Sequence, residues 1–341
     1  MDIDRSVIDT INQYKMIEEG DLVIVAVSGG PDSLTLLDIL NRHREELKIS
    51  LHVAHLNHSF RGKEAEEEAE WVKDTAQSWG ISCTIDKVDV PALVEEKGLS
   101  PQDAGHIARK KYFLELADTI NANKIALGHQ ADDQAETILM HFLTGAGPEG
   151  MRGILPVTMP LIRPLLFVGR KEIEEYCVMR GLNPRRDPSN KKDIYLRNKI
   201  RNNLVPWLVE NINPNLVDTL NRTAMIFWAE EEYFQQKTVE LANTMIVHDE
   251  ESGFLKLALA GLSDLEVAMQ RRLLRRAYQD QTKGQGLSFL HVEEVRELAL
   301  KKETGKMLHL SASVTVKKTR EHLLFYYEEK QSKMRNTKDG K

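Results

Sequence analysis

Residues 1–205 predict a doubly wound parallel α/β sheet, residues 206–246 a linker helix region, and residues 247–330 a small α+β domain before a polar tail at 331–341. Three observations carry this. Leu22–Val27 is a continuous apolar run, as a strand buried on both faces requires. Strand and helix signals alternate at short spacing over the first part of the chain, the mark of a parallel sheet with crossover helices. After Gly145 this rhythm gives way to Gly, Pro and short apolar pieces as far as Pro164.

The elements follow in order. The start, MDIDRSVIDTINQYKMIEEG, is charged and helix-patterned and lacks the apolar run and cleavage site of a signal peptide. The strand at 22–27 leads into a helical pattern from Ser33 to Arg44. Ile49–His55 reads as a strand, Glu64–Trp79 as a helix, Cys83–Val88 as a strand, 101–121 as a helix, Lys124–Leu127 as a strand, and a further helix begins near Ala131. Right-handed crossovers would place helices on both faces of this sheet. Gly169–Arg180 is helical in pattern. Asn215–Ile246 contains neither Pro nor Gly and predicts one long helix, with Pro214 just before its start. In the tail, strand-like runs at Phe254–Ala258, Met307–Leu310 and Leu323–Tyr327 surround helical patterns at 264–279 and 289–301.

Composition sets limits. Hydrophobic residues at 41% can build a core without disulfide or metal staples. Cys83 and Cys177 are far apart and match no metal-site spacing, which suits a reduced, cytoplasmic chain. No run approaches the length of a membrane span. The net charge of −6 excludes a protein that is basic all over but not one with a basic face. Residues 64–70, EAEEEAE, read as a solvated acidic helix face. Residues 181–201 carry seven Lys or Arg against two Asp and suit RNA-backbone contact, with Arg185, Arg186, Arg197, Asn198 and Arg201 the expected RNA-binding residues. Arg271, Arg272, Arg275 and Arg276 form a weaker basic candidate, and Trp71, Trp79 and Trp207 read as core rather than as base-stacking platforms.

The sharpest motif is Ser28-Gly29-Gly30-Pro31-Asp32-Ser33, directly after the first strand and opening the first long helix. Glycines let backbone approach an anion, and free N–H groups with the helix dipole favour it. No Lys-Ser/Thr follows, so it is not a Walker loop, and it is not a dinucleotide fingerprint. The expected nucleotide set is this run with Ala26 at the strand's end. The six residues match the S-G-G-x-D-S signature of the PP-loop ATP pyrophosphatases. That resemblance implies a loop that grips pyrophosphate while ATP breaks between its α and β phosphates and AMP passes to an oxygen.

A second cluster follows the strand at 124–127, at the carboxyl edge where open α/β sheets bind ligands. Asp132, Asp133 and Glu136 begin a helix there. Such carboxylates can hold Mg²⁺ on phosphates, bind a lysine ammonium, take protons, or simply complement the helix N-terminus.

Further runs resemble the tRNA(Ile)-lysidine synthetase family: His55-Leu56-Asn57-His58-Ser59-Phe60-Arg61, Gly128-His129-Gln130-Ala131-Asp132-Asp133-Gln134-Ala135-Glu136-Thr137, Arg163-Pro164-Leu165-Leu166, Asp187-Pro188-Ser189-Asn190 and Arg197-Asn198-Lys199-Ile200-Arg201. Two departures stand out. Gln130 replaces a histidine common in the family, and around Gly105–Lys110 only Arg109 clearly carries over. The resemblance implies an ATP-dependent ligase that adenylates the wobble cytidine of the CAU-anticodon isoleucine tRNA and then joins free L-lysine at carbon 2. It places His55 and Asn57 with the nucleotide loop, and Asp32, Arg109, His129, Asp132, Asp133 and Glu136 in catalysis, with Mg²⁺ on Asp132 and Asp133. Its partners would be that tRNA, lysine, ATP and a second copy of the chain, with no membrane. The rivals are a 2-thiolation enzyme, whose usual cysteine pairs are missing, and a non-catalytic nucleotide-dependent RNA-binding module.

Overall fold

The computed structural model describes residues 3–57, 63–88, 90–98, 100–185 and 195–327. The chain divides into two compact units, residues 1–228 and 229–341.

In the first unit, α1 (Ile3–Gln13) precedes β1 (Leu22–Ala26), α2 (Pro31–His43), β2 (Ser50–Asn57), α3 (Lys63–Ser78) and β3 (Ser82–Lys87). Then come α4 (Val90–Lys97), α5 (Pro101–Ile120), β4 (Lys124–Ala126), α6 (Ala131–Leu143), the single turn α7 (Pro148–Met151), β5 (Val157–Thr158), β6 (Leu161–Ile162) and α8 (Arg170–Arg180). A short α9 (Leu196–Lys199) continues through a π-helical turn at Ile200–Leu204 into α10 (Val205–Asn211), and α11 (Leu216–Met245) follows.

The sheet order is β3-β2-β1-β4-β6-β5, with every neighbouring pair parallel except β5 with β6. The apolar run of β1 serves both faces, as its unbroken hydrophobicity requires. Val23 and Val25 join a core with α1, α2, α3 and α8, whereas Ile24 packs with Tyr112, Phe113 and Leu116 of α5. The Gly- and Pro-rich stretch after Gly145 holds two strands of only two residues each, too short to carry an alternation that the sequence could display.

The second unit closes an antiparallel sheet in the order β7-β8-β11-β10-β9. Its strands are β7 (Ile246–Asp249), β8 (Phe254–Ala258), β9 (Met307–His309), β10 (Val314–Lys318) and β11 (His322–Tyr327). One face packs on α12 (Val267–Thr282) and α13 (Phe289–Lys301) through Leu255, Leu257, Leu273, Val292, Val316 and Phe325. The sequence reading anticipates both helices and three of these strands but not β7 or β10. Most of the basic row on α12 is neutralised: Arg271 meets Glu293 at 2.6 Å and Arg276 meets Asp280 at 2.7 Å. Arg272 makes a bidentate pair with Glu231, both bonds at 2.6 Å, and lies 4.6 Å over the Phe234 ring. Glu231 is buried, so its removal strands a half-buried guanidinium. Glu231→Ala is therefore expected to destabilise the second unit by on the order of 2 kcal/mol, read as a lower urea midpoint, with Glu231→Gln losing less.

Candidate functional site

Both sequence motifs arrive at one place. β1 is flanked by β2 on one side and β4 on the other, so the chain's strand order switches between β1 and β4. Beyond the carboxyl ends of such a pair lies the crevice where open α/β sheets take ligands. Ala26 ends β1, and the loop Val27–Gly30 turns into α2. The turn is held by its own hydroxyls. The Ser28 N–H donates to Ser33 Oγ at 3.1 Å, and Ser33 Oγ–H donates to the Gly30 carbonyl at 3.0 Å. Gly29 has φ +82°, a left-handed conformation that favours glycine, whereas Gly30 has an ordinary φ of −76°. Gly128, just past β4, approaches the start of α2 so closely that a Cβ there would lie 3.1 Å from Ser33 N.

Neighbouring strands support the loop. His55 of β2 is buried and donates from Nδ1 to the Val27 carbonyl at 2.8 Å. Burial lowers its pKa, against the opposing influence of Val27 and Glu68. His55 thus braces the loop through a hydrogen bond, and burial favours its neutral form. Asn57, also buried, closes β2, its carbonyl accepting from Val88 N–H at 2.9 Å.

The start of α6 is built as a capping box. Gln130 Oε1 accepts from Asp132 N–H at 2.6 Å while Gln130 N–H donates to Asp133 Oδ2 at 3.2 Å. This gives the Gln130 departure a physical role: the amide caps the helix. Asp132 Oδ2 accepts from Arg170 N–H at 2.9 Å, tying α6 to α8. Asp133 receives Arg197 at 3.2 Å and Arg201 at 2.7 Å. Glu136, only 2% exposed, receives Arg197 Nε at 3.1 Å, Arg201 through Nε and Nη2 at 2.5 and 2.7 Å, and Arg170 at 3.5 Å. Arg197 comes from α9 and Arg201 from the π-helical turn, a distortion often found at functional sites.

These charges tune one another. Burial acts to raise the pKa of Asp133, but Arg197, His129, Arg201 and the Gln130 N–H hold it low. Asp32, at the head of α2, is pushed up to about 7 by burial and then by Asp133 and Asp132, despite Arg170 and Arg201. His129 is pushed down to about 4, first by burial and then by Arg163, Arg197 and Arg109, with Asp133 opposing. Its Nδ1 is buried with no protein hydrogen bond among the described residues. Arg109 of α5 is accessible to solvent yet flanked by enough protein for desolvation, and then the like charge of Arg197, to lower its pKa. Arg163, buried, donates to the Leu155 carbonyl at 2.7 Å, and burial takes its pKa to about 10.

Comparison with known proteins places this geometry. The PP-loop domain family matches residues 3–208, and the TilS substrate binding domain family matches residues 257–324. A tRNA(Ile)-lysidine synthase of Clostridioides difficile is 35% identical over 325 residues, covering 95% of this chain and 70% of that protein. The chain belongs to the tRNA(Ile)-lysidine synthase family. Another member, from Clostridium perfringens, is 38% identical over 312 residues, covering 91% of this chain and 66% of its own length. The chain therefore spans about two thirds of the length of the family members it matches. Among solved structures, a U34-tRNA thiolase of Methanococcus maripaludis superposes with a TM-score of 0.56 at 19% identity, covering 65% of this chain and 77% of the thiolase, a likeness of fold.

Set in this family, the sequence expectations sort as follows. Asp32, His129, Asp132, Asp133 and Glu136 converge with Arg109, Arg197 and Arg201 at the crevice. Asp133, expected to hold Mg²⁺, has Oδ1 against two guanidiniums and Oδ2 accepting a backbone N–H. The structure departs from the expectation that Arg197 and Arg201 face RNA phosphates, since both turn inward onto carboxylates. Glu68, expected to be solvated, lies with Trp71 against Gly29. Trp207, expected in the core, is 55% exposed. Arg186, His58 to Arg61 and Asp187 to Asn190 lie outside the described residues. Arg170 was not anticipated, and an arginine at a helix start gives no sign of a partner 34 positions earlier.

Gly29→Ala must hold a left-handed φ at a cost of about 1–2 kcal/mol, so its Tm falls by a few degrees, whereas Gly30→Ala leaves Tm unchanged because a Cβ there meets nothing nearer than Ser28 Oγ at 3.5 Å. For Asp32, the folded state keeps the proton up to a pH near 7 while the unfolded chain loses it near the ordinary carboxylate value. Its contribution to stability is fully present below a pH of about 4 and is lost progressively as pH rises from there to about 7. Asp32→Asn should therefore raise Tm above wild type by more at pH 8 than at pH 5, and equal shifts at both pH values would remove the raised pKa of Asp32.

Proposed function

We propose that the protein joins free L-lysine to carbon 2 of the wobble cytidine of the CAU-anticodon isoleucine tRNA, forming lysidine and converting ATP to AMP and pyrophosphate. The carrying observation is that the S-G-G-P-D-S loop and the carboxylate–arginine cluster of α6 meet at one switch point, in a chain matched along most of its length by lysidine synthases.

The roles follow from the residues. The N–H groups and dipole at the start of α2, with the Ser28 and Ser33 hydroxyls, receive the pyrophosphate end of ATP. Arg197 and Arg201, already ordered by Asp133 and Glu136, stabilise negative charge that builds on the phosphates. The cytidine must leave the anticodon stack to bring its carbonyl oxygen to the α-phosphorus. The new O–P bond forms as the α–β bridge breaks and pyrophosphate departs. The lysine amine then adds at carbon 2 and AMP leaves with the bond's electrons. His129 is the proton acceptor for the amine, being neutral with a ring nitrogen that makes no hydrogen bond among the described residues. A polyanion bound beside it would raise its low pKa toward the working range.

The donor set fits Mg²⁺ through Asp32 and Asp132, since Mg²⁺ is usually held by one or two carboxylates together with substrate phosphates. The metal would supply charge neutralisation there. No cluster of three or more metal-ligating side chains occurs among the described residues. Nothing in the geometry favours 2-thiolation: Cys177 is buried on α8 against Thr35, and Cys83 lies within β3.

Incubation with ATP, Mg²⁺, labelled lysine and total tRNA should place label in tRNA. His129→Ala should release pyrophosphate and accumulate adenylated tRNA without lysine transfer, whereas Asp132→Asn should stop before adenylation. Wild-type lysine transfer in both variants would remove these residues from the chemistry.

A further inference from the structure

The phosphate loop has a wall that its sequence motif does not contain. Glu68 and Trp71 of α3 reach Gly29: a Cβ built on that glycine would lie 3.5 Å from Glu68 Cγ and 3.6 Å from the indole ring. On the same side, the backbone N–H of Arg185 donates to the Gly29 carbonyl at 2.9 Å. The Arg185 guanidinium then lies 5.8 Å over the Trp71 ring, within the reach of a cation–π contact. The loop's left-handed residue, an indole and an arginine thus form one assembly joined by a backbone hydrogen bond and a stacked cation.

Arg185 differs from three other arginines at the crevice. Arg170, Arg197 and Arg201 each make an ion pair with a carboxylate. Arg185 makes none among the described residues, and its side chain is exposed. Trp71 offers a flat surface that limits its rotamers without neutralising its charge, so less entropy is lost when the guanidinium meets a ligand. Glu68 on the same wall makes a compensating cation more valuable when a polyanion enters.

We propose that Arg185 is a pyrophosphate-binding residue of the ATP site and that Trp71 is the positioning residue holding its guanidinium at the rim of the loop. This reassigns Arg185 from the RNA-facing role expected from sequence, and it rests on the reading of the loop as the grip for ATP's pyrophosphate end. The ligand chemistry is a di- or triphosphate anion, received by a planar fork of N–H donors.

Calorimetric titration of the full chain with inorganic pyrophosphate tests it. Arg185→Ala should weaken pyrophosphate about tenfold or more, as loss of a charge-assisted contact requires, with Arg185→Lys intermediate. Trp71→Ala should weaken it about two- to fivefold, and the double variant should be no weaker than Arg185→Ala, because the indole acts only through the guanidinium. Binding of tRNA without nucleotide should be unchanged in Arg185→Ala. Pyrophosphate affinity equal to wild type in Arg185→Ala, or losses that multiply in the double variant, would overturn the assignment while leaving the loop in place. A loss of tRNA binding with pyrophosphate unaffected would return Arg185 to the RNA face. Failure of the wild-type chain to bind pyrophosphate would instead overturn the reading of the loop, and this proposal with it.

Discussion

Glu136 sits at 2% exposure one turn into α6, and a carboxylate so placed has to be surrounded by donors. Its donors are guanidiniums from two other parts of the chain: Arg170 at the start of α8, and Arg197 with Arg201 on the segment entering α10. That requirement pulls residues 195–204 back onto the carboxyl edge of the sheet, beside the phosphate loop. It also decides which carboxylates remain for other work. Asp133 is consumed by Arg197 and Arg201, whereas Asp32 is pushed up to about 7 by burial and then by the neighbouring carboxylates. Burial works against the charge of Arg201, yet Glu136, Asp133 and Asp32 together raise its pKa. The outcome is a set of cations ordered before any phosphate arrives, which is the condition for electrostatic stabilisation without reorganisation.

The second constraint is closeness. Gly128 meets the backbone of Asp32 and Ser33 at distances a side chain would violate, so the exits of β1 and β4 are nearly in contact. Gln134 reinforces the geometry from below, taking the Ile154 N–H and donating to the carbonyls of Arg152 and Ile154. Asn221 of α11 donates to the Ala131 carbonyl at 3.1 Å. The α6 N-terminus is therefore fixed by its cap and by neighbouring segments, and residues that look like a generic acidic helix start become a defined array.

The parallel sheet was legible because β1 is a continuous apolar run and the helices between strands have ordinary lengths. The nucleotide loop was legible because its glycines and serines have few other uses in that context. What sequence could not supply was pairing across distance. Arg197 and Arg201 read as a basic surface because their partners lie about sixty positions earlier, and no local pattern encodes that they turn inward. Glu68 read as part of a solvated face and Trp71 as core, because nothing local shows that both lie against Gly29. β7 hid at the end of the α11 pattern. Trp207 read as core because tryptophan is usually buried, yet here it projects to solvent.

If Glu136 acts through its arginines, carboxylate and guanidiniums form one functional unit. The direct measurement is the rate of pyrophosphate release with ATP and tRNA, in the absence of lysine, for Glu136→Gln, Arg201→Ala and the double variant. One unit predicts that each single change costs tenfold or more and that the double variant is no slower than the slower single variant. Wild-type rates in Glu136→Gln, or losses that multiply in the double variant, would contradict it.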